Sequence, residues 1–326
     1  MTFKVTILGS SAAMPMAGRH HSAHALNVHE QFYLVDCGEG TQTRLVECGI
    51  NPLKINAIFI THLHGDHLYG LFPLIATLGL MGRSTPLKVY APEPLGELME
   101  CMDRLLGEHT AFAVKYYPVN TREHAMVYEN SVMEVWTIPL RHRVPAAGYL
   151  FREKTPALNV RKEMIGRYGL GIAQIVAVKR GEDVTLDEGN AQRADAAYAD
   201  LAPGTVVPNP KLSYTPYEPR SYAYCSDTLY SGKVASLVQG VDLLYHEATF
   251  ADEDKALAKE TGHSTAGQAA KVAATAGAGR LLIGHFSGRY KVAQPLVDEA
   301  RAVFPAAEEA VECHTYAIEP KTQGQK

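Results

Sequence analysis

The sequence predicts a layered α/β fold in which helices cover the outer faces of β-sheets. Strand-like and helix-like segments alternate along the 326 residues, and both halves of the chain run from strands to helices. The run INAIFIT (55–61) is mostly apolar and rich in β-branched residues, which is typical of a strand covered on both faces. With 46% hydrophobic residues, the chain is able to bury a large core.

The first half predicts strands and helices in turn. A buried strand is expected for FKVTILG (3–9), and two strands joined by a short turn are expected for ALNVHEQFYLVDCG (25–38). TQTRLVECGI (41–50) fits a short helix ended by Gly49. After the INAIFIT strand, we expect helix, strand and helix in LYGLFPLIATLGLM, LKVYAP and EPLGELMECMDRLLG, and then mainly strands over 113–154.

Residues 155–219 differ from the rest of the chain. Gly and Pro are frequent, the hydrophobic pattern is weak, and NPKLSYTPYEP is loop-like, so we expect an excursion inserted into the fold. Regular patterns then return in five segments, SYAYCSDT, DLLYHEATF, STAGQAAKVAATAGAGR, LLIGH and PLVDEARAVF.

Cysteine usage and the opening residues favour a cytoplasmic protein. The five cysteines are odd in number and form no CxxC pair, which predicts reduced, mostly buried thiols and no disulfide framework. MTFKVTILGS lacks the apolar segment and cleavage site of a signal peptide. No apolar run reaches the ~18 residues of a membrane span, so we expect no membrane association.

Positive charge is concentrated in one part of an acidic chain. The net charge is −4, yet residues 141–180 carry nine Lys and Arg against two acids. Such a segment suggests a polyanionic partner held at one place, although charge alone favours a solvated surface.

The stretch THLHGDH (61–67) predicts a metal site. His62 and His64 are two residues apart after a buried strand, so both side chains are able to project to one side. Gly65 permits a sharp turn, after which Asp66 and His67 face the same cavity. Imidazole and carboxylate groups suit zinc and, to a lesser extent, manganese or iron. Four donors exceed the need of one open tetrahedral site, which suggests two cations ~3.5–4 Å apart.

Two cations need further ligands, and three residues repeat the pattern of His62. His142, Asp227 and His285 each follow an apolar strand, in VWTIPLR, SYAYCS and LLIG. A polar group at one strand end often serves only the structure, but the shared context favours ligands. Asp227 is suited to bridge two cations through its two carboxylate oxygens.

The HxHxDH motif with later His, Asp and His resembles the metallo-β-lactamase superfamily. Over nearly its full length the chain resembles the ribonuclease Z family, whose members remove 3′ trailers from precursor tRNA. The matching stretches are ILGSSAAMP, DCGEGTQ, ITHLHGDHLYGL, PLKVYAP, GYLFREK, KRGEDVTL, YCSDT, LLYHEATF, GHSTAGQAA and LLIGHFSGRY. The family usually has Arg-Asn in its first loop, where this chain has His20 and His21.

The resemblance implies a four-layer αββα sandwich over residues 1–326, with an inserted tRNA-binding arm at approximately 155–185. It implies two Zn²⁺ per subunit, with Mn²⁺ as the alternative, and a homodimer. The implied ligands of one cation are His62, His64 and His142, those of the other are Asp66, His67 and His285, and Asp227 lies between the two.

The resemblance also implies catalytic roles. Asp66 matches the proton acceptor, and His263 matches the residue that assists the leaving group. Glu247 is expected to orient His263 and hold it cationic, although a structural hydrogen bond accounts for a strand-end Glu equally well. Contacts to precursor tRNA are expected from the basic residues of the arm, Arg161, Lys162, Arg167, Lys179 and Arg180.

Two other functions fit the same metal cluster. A hydrolase of the superfamily acting on a small substrate, such as a thioesterase, a lactonase or a small-diester phosphodiesterase, would share it. A catalytically silent RNA-binding protein with structural zinc ranks lower, because such sites are closed and usually contain Cys.

Overall fold

The computed structural model describes residues 1–106, 111–195 and 202–320 of the chain. These residues form two compact units, one built from Met1–Glu153 and Arg220–Glu319, and one that includes Lys154–Pro219. Among the described residues, no helix combines the length and the apolar character needed to cross a bilayer.

The first sheet of the larger unit has seven strands within the described residues. They lie in the order β18-β1-β2-β3-β4-β5-β6, with β3 to β6 parallel to one another. The strands are β1 (Phe3–Gly9), β2 (Ala23–Val28), β3 (Gln31–Val35), β4 (Ile55–Phe59), β5 (Leu87–Pro92), β6 (Val114–Val119) and β18 (Thr315–Ala317).

The second sheet also has seven strands in the part of the chain that is described, in the order β17-β16-β15-β14-β9-β8-β7. Strands β14 to β17 are parallel, and β7 to β9 are antiparallel. The strands are β7 (Met126–Glu129), β8 (Met133–Pro139), β9 (Ala147–Glu153), β14 (Ser221–Cys225), β15 (Leu243–Glu247), β16 (Arg280–Gly284) and β17 (Ala307–Glu309).

Three hydrophobic clusters define four layers. The inner faces of the two sheets share one cluster, in which Phe59 of the first sheet meets Tyr149 and Phe151 of the second at ring-centroid distances of 5.3 Å. The outer faces are covered by two helix layers. The helices of this unit are α1 (Thr41–Glu47), α2 (Gly65–Leu68), α3 (Leu71–Leu80), α4 (Leu95–Leu106), α9 (Gly232–Leu237), α10 (Lys255–Thr261), α11 (Ala266–Ala276) and α12 (Gln294–Val303).

Small side chains bring one helix close to the second sheet. Helix α11 buries five alanines and one valine, and it packs with α9 and α12 over β15 and β16. On the first sheet, Leu45 of α1 and Leu74 of α3 are buried in the outer cluster. The unit is therefore an αββα sandwich, which confirms the layered α/β fold that the sequence predicts and the arrangement that the resemblance implies.

The smaller unit has its own short elements. Strand β10 (Asn159–Val160) pairs with β13 (Ser213–Tyr214), and β11 (Val184–Thr185) pairs with β12 (Val206–Val207). Its helices are α5 (Lys162–Tyr168), α6 (Ile172–Lys179), α7 (Glu188–Arg193) and α8 (Asn209–Leu212). A small core supports them, formed by Leu170, Val178, Val184, Leu186, Val207 and Leu212. NPKLSYTPYEP therefore contains a helical turn and a short strand where the sequence predicts a loop.

The prediction of reduced cysteines is wrong for one pair. Cys48 and Cys313 form a disulfide with their Cα atoms 5.0 Å apart, whereas Cys37, Cys101 and Cys225 are free. The two bonded residues are 265 positions apart in the sequence. Local spacing carries no information about such a pair, because only the fold places the end of α1 beside the segment before β18.

A buried ion pair joins Glu153, at the end of β9, to Arg220, just before β14. At these two residues the chain leaves the larger unit and returns to it. The Arg220 guanidinium donates to both Glu153 carboxylate oxygens, at 2.6 and 2.9 Å, and both residues are 2% exposed. Burial by itself would raise the pKa of Glu153, but the hydrogen bonds from Arg220 hold it below its usual value.

Replacing Arg220 by Met is expected to lower the free energy of unfolding by about 3–5 kcal/mol, because the Glu153 carboxylate stays buried without its guanidinium. Urea denaturation followed by far-UV circular dichroism measures the loss. The double variant Glu153→Met/Arg220→Met removes both charges and serves as the control. A double variant less stable than the single variant contradicts this account of the pair.

Candidate metal centre and active site

Strand ends from both sheets meet at the site. His62 and His64 follow β4 of the first sheet, whereas His142, Asp227 and His285 follow β8, β14 and β16 of the second. The carboxyl ends of parallel strands lie at one edge of a sheet, so residues far apart in sequence converge there. The structure thus brings together all seven residues that the sequence singles out as ligands.

One group of donors consists of His62, His64, His142 and Asp227. His64 Nδ1 lies 3.1 Å from His62 Nε2 and 3.3 Å from His142 Nε2. Asp227 Oδ2 lies 3.6 and 3.7 Å from those same two Nε2 atoms. The four donor atoms therefore surround a single small space.

The second group consists of Asp66, His67 and His285. Its two Nε2 atoms are 3.3 Å apart, and Asp66 Oδ2 lies 3.4 Å from His67 Nε2 and 3.3 Å from His285 Nε2. Asp227 Oδ1 completes the group at 3.4 and 3.2 Å from these nitrogens. Asp227, which is 2% exposed, thus presents one oxygen to each group.

These spacings fit divalent cations. Ligand atoms about 2.0–2.1 Å from a zinc ion in tetrahedral geometry lie about 3.3 Å apart, close to the distances within each group. Nitrogen and carboxylate oxygen are donors that such cations accept. The arrangement of donors thus supports use of a divalent metal at this edge of the sandwich.

Hydrogen bonds on the side of the ring that faces away from the metal cluster fix the orientation of four of the histidines. Each uses Nδ1, which leaves Nε2 to face the centre. His62 donates to Thr61 Oγ1 at 3.0 Å, and His142 donates to the Gly262 carbonyl at 2.9 Å. The acceptors for the other two are the Asp36 carboxylate, 2.7 Å from His67, and Thr249 Oγ1, 2.8 Å from His285.

Asp36, in the stretch DCGEGTQ, contacts the site although the sequence predicts no role for it there. Its carboxylate is fully buried and accepts hydrogen bonds from His67, the Thr61 backbone and hydroxyl, and the Tyr224 hydroxyl. A usable signal existed, because Asp36 follows the apolar strand β3 as His62 follows β4. Asp36 and His285 also have positive φ, 57° and 60°, a strained conformation that is often found at functional sites.

The electrostatics of the site favour a cation. Burial by itself would lower the pKa of His67, but the carboxylates of Asp227, Asp66 and Asp36 raise it well above the usual value. Burial lowers the pKa of His62 well below its usual value, so this ring stays neutral with a free lone pair. Three carboxylates around one buried space thus attract positive charge, as protons or as metal.

His263 lies beside the metal cluster and is held by Glu247. Its Nδ1 is 3.0 Å from Glu247 Oε1 and 3.9 Å from Asp227 Oδ2. Burial by itself would lower the pKa of His263, but the Glu247 carboxylate raises it to about 9. Because Nδ1 donates to Glu247, Nε2 is the atom able to transfer a proton.

Glu247 makes both kinds of contact that the sequence offers as alternatives, one to His263 and one to the backbone. The fully buried carboxylate binds His263, and it also accepts from the backbone N–H groups of Thr228, Thr249 and Ser264 at 3.0 Å each. It therefore ties together the loops after β14 and β15 and the segment that carries His263. The same carboxylate therefore contacts the backbone of these loops and the His263 ring.

The basic residues predicted to contact RNA belong to the smaller unit and not to the metal cluster. The Arg161 guanidinium lies over the Tyr214 ring at 5.5 Å, and that of Arg167 lies over Tyr168 at 5.7 Å. Arg180 pairs with Glu182 at 3.0 Å. Lys162 begins helix α5 and Lys179 ends α6, so all five residues flank or lie within these two helices.

Two family profiles match adjacent parts of the chain. Residues 3–151 match the profile of the anti-Pycsar protein Apyc1, and residues 157–286 match that of a beta-lactamase superfamily domain.

Curated relatives match nearly the whole chain. A ribonuclease Z of Porphyromonas gingivalis is 41% identical over 302 residues, which cover 93% of this chain and 94% of that protein. A ribonuclease Z of Bacteroides fragilis is 39% identical with coverages of 93% and 95%. A third, from Phocaeicola vulgatus, is 37% identical over 98% of this chain and 99% of its own length.

Solved structures agree on the fold. Human tRNase Z, short form, superposes with a TM-score of 0.67 at 24% identity and covers 97% of this chain and 99% of its own. A metallo-beta-lactamase fold protein of Bacillus subtilis gives a TM-score of 0.66 at 18% identity, with coverages of 97% and 98%. With this sandwich, this cluster of donors and relatives at such identity over nearly its whole length, the chain belongs to the ribonuclease Z family of the metallo-β-lactamase superfamily.

Proposed function

We propose that the protein is a metal-dependent endoribonuclease that removes 3′ trailers from precursor tRNA. The observation that carries the proposal is the cluster of seven donors in a chain 37–41% identical to proteins named ribonuclease Z. Hydrolysis breaks the bond between phosphorus and the 3′-oxygen of the tRNA. The products are tRNA with a 3′-hydroxyl and a trailer with a 5′-phosphate.

Two Zn²⁺ per subunit are the proposed cofactors, with Mn²⁺ as the alternative. His62, His64 and His142 would hold one cation, Asp66, His67 and His285 the other, and Asp227 both. Cations at these positions supply an acidified water and positive charge opposite the phosphate oxygens. The two separate oxygens of Asp227, each facing one histidine group, support the pair.

Asp66 and His263 are the proposed proton carriers. Burial by itself would raise the pKa of Asp66, but His67 and His285 hold it well below its usual value, so the carboxylate is ionised. Its proposed role is to accept a proton from the attacking water. His263, protonated and oriented by Glu247, donates its Nε2 proton to the departing 3′-oxygen. Asp66 thus gains one proton while His263 loses one. The bond breaks without forming a free alkoxide.

The smaller unit is proposed as the tRNA-binding arm. The sequence suggests an arm at 155–185, and the compact unit extends from Lys154 to Pro219. RNA helices are recognised mainly by shape and phosphate contacts, which suits the basic residues around α5 and α6. We further propose that the chain acts as a homodimer in the cytoplasm.

The small-substrate alternative is not favoured. A hydrolase of that kind would need the metal cluster but neither the arm nor its basic residues. Relatives that match 93% and 98% of this chain are named ribonuclease Z.

His64→Ala is expected to abolish trailer removal and to lower the bound metal per chain, because His64 Nδ1 contacts two other donors of its group. Purified protein is incubated with unprocessed tRNA, with and without chelator, and the 3′ end is mapped. Metal content is measured by mass spectrometry. The exposed His314, outside the cluster, provides the control variant His314→Ala. Metal-free protein that cleaves at full rate contradicts the proposal.

His263→Asn is expected to lower kcat about 10²- to 10⁴-fold while leaving bound metal unchanged. A general acid must be protonated, so activity of the unmutated enzyme falls as pH rises through the pKa of His263. Bound cations lower that pKa from about 9, the value set by Glu247. The pH profile of kcat therefore loses its alkaline decline in the variant. An unchanged decline would assign the effect to another group.

Replacing residues 154–219 by a short glycine linker is expected to abolish trailer removal and to spare hydrolysis of a small chromogenic diester. The linker is feasible because Arg152 and Ser221 are paired neighbours on β9 and β14. The matched full-length control replaces the five basic residues by Gln, which raises KM for tRNA and flattens its salt dependence. Cleavage of tRNA by the shortened chain at the normal rate refutes the role of the arm.

A further inference from the structure

Arg143 is an exposed arginine that directly follows the candidate ligand His142. Its Cγ lies 3.4 Å from the position that a Cβ on Gly262 would occupy, so its stem packs against that residue. Gly262 holds the His142 ring through its carbonyl and directly precedes His263. Arg143 therefore lies at the rim of the metal cluster, on the side of the proposed general acid.

The charge of Arg143 is available for a ligand. Among residues 1–106, 111–195 and 202–320, no carboxylate forms an ion pair with it. The acids of the site already have other partners, because Asp66 and Asp227 face histidines and Glu247 binds His263 and three backbone N–H groups.

We propose that Arg143 binds the phosphate immediately 5′ of the scissile one, between the last two nucleotides of the tRNA body. The proposal rests on the proposed function and adds a substrate contact to it. A guanidinium is the side chain best suited to phosphate, because its planar N–H groups match two oxygens at once.

The position of His263 indicates which side of the scissile bond lies near Arg143. This residue donates its proton to the 3′-oxygen, so it marks the side on which the tRNA body leaves the site. Arg143 packs against the neighbouring Gly262 and therefore reaches the strand on that same side. The scissile phosphate itself binds at the metal cluster. The next phosphate along the tRNA body is therefore the one that binds Arg143.

The contact fixes the register of the strand. A sequence-independent phosphate contact one linkage from the cut sets which bond enters the site, without reading any base. The arm is proposed to bind the tRNA body, whereas Arg143 acts at the last nucleotide. Loss of the contact is therefore expected to reduce both the rate and the accuracy of cleavage.

Arg143→Gln tests the proposal in combination with substrates that carry a neutral methylphosphonate at one linkage. We expect the variant to lose about tenfold to 100-fold in kcat/KM on natural precursor tRNA, the scale of a charge-assisted hydrogen bond. A methylphosphonate 5′ of the scissile bond should slow the unmutated enzyme by a similar factor and leave the variant unaffected. The same change one linkage 3′ of the scissile bond should slow both enzymes equally.

Two controls separate the possible failures. Arg122→Gln, at another exposed arginine of the larger unit, should retain the sensitivity of the unmutated enzyme to each methylphosphonate. Hydrolysis of a small diester by Arg143→Gln reports whether the metal cluster is intact. Unmutated protein that leaves precursor tRNA uncut overturns the proposed function. Protein that cuts it, with Arg143→Gln as sensitive to the 5′ methylphosphonate as the unmutated enzyme, overturns the role of Arg143 alone.

Discussion

Asp227 is the point at which the two halves of the site meet. Its buried carboxylate presents Oδ2 to His62 and His142 and Oδ1 to His67 and His285, at 3.2–3.7 Å. A carboxylate in that position, surrounded by imidazoles and almost without solvent, is stable only if it shares positive charge. The sandwich meets this condition by joining the first sheet, which supplies the HLHGDH turn, to the second, which supplies Asp227, His142 and His285.

Rigidity of this site comes from the residues behind the donors. Four histidines are held at Nδ1, and the holders are themselves connected: Thr61 donates to Asp36, and Thr249 donates to Glu247. Each link is short and buried, so a ring is not able to turn without breaking a hydrogen bond that water cannot replace. Glu247 extends the same network to His263. The position of the proposed general acid is thus fixed by the groups that also fix the donors.

The smaller unit differs from the larger one in the size of its core and the length of its elements. Among its described residues, 154–195 and 202–219, the core contains few buried side chains, the strands are two residues long, and the helices have at most eight residues. Such short elements produce weak periodicity, which is why the sequence predicts an excursion but not the helices within it. The disulfide of Cys48 and Cys313 escaped prediction for a related reason, because a pairing over 265 residues depends on folding and leaves no local pattern.

The sequence by itself determined the donors, because each follows an apolar strand. A run as dense in imidazole and carboxylate as HxHxDH also favours metal binding over any purely structural role. It also determined the layered α/β class, since continuous apolar strands require cover on both faces. Only the tertiary structure decided which oxygen of Asp227 faces which histidines, that Asp36 supports His67, and that Arg143 lies against Gly262. These relations join residues on different strands and loops, and their distances arise when two sheets pack, a step that no local pattern encodes.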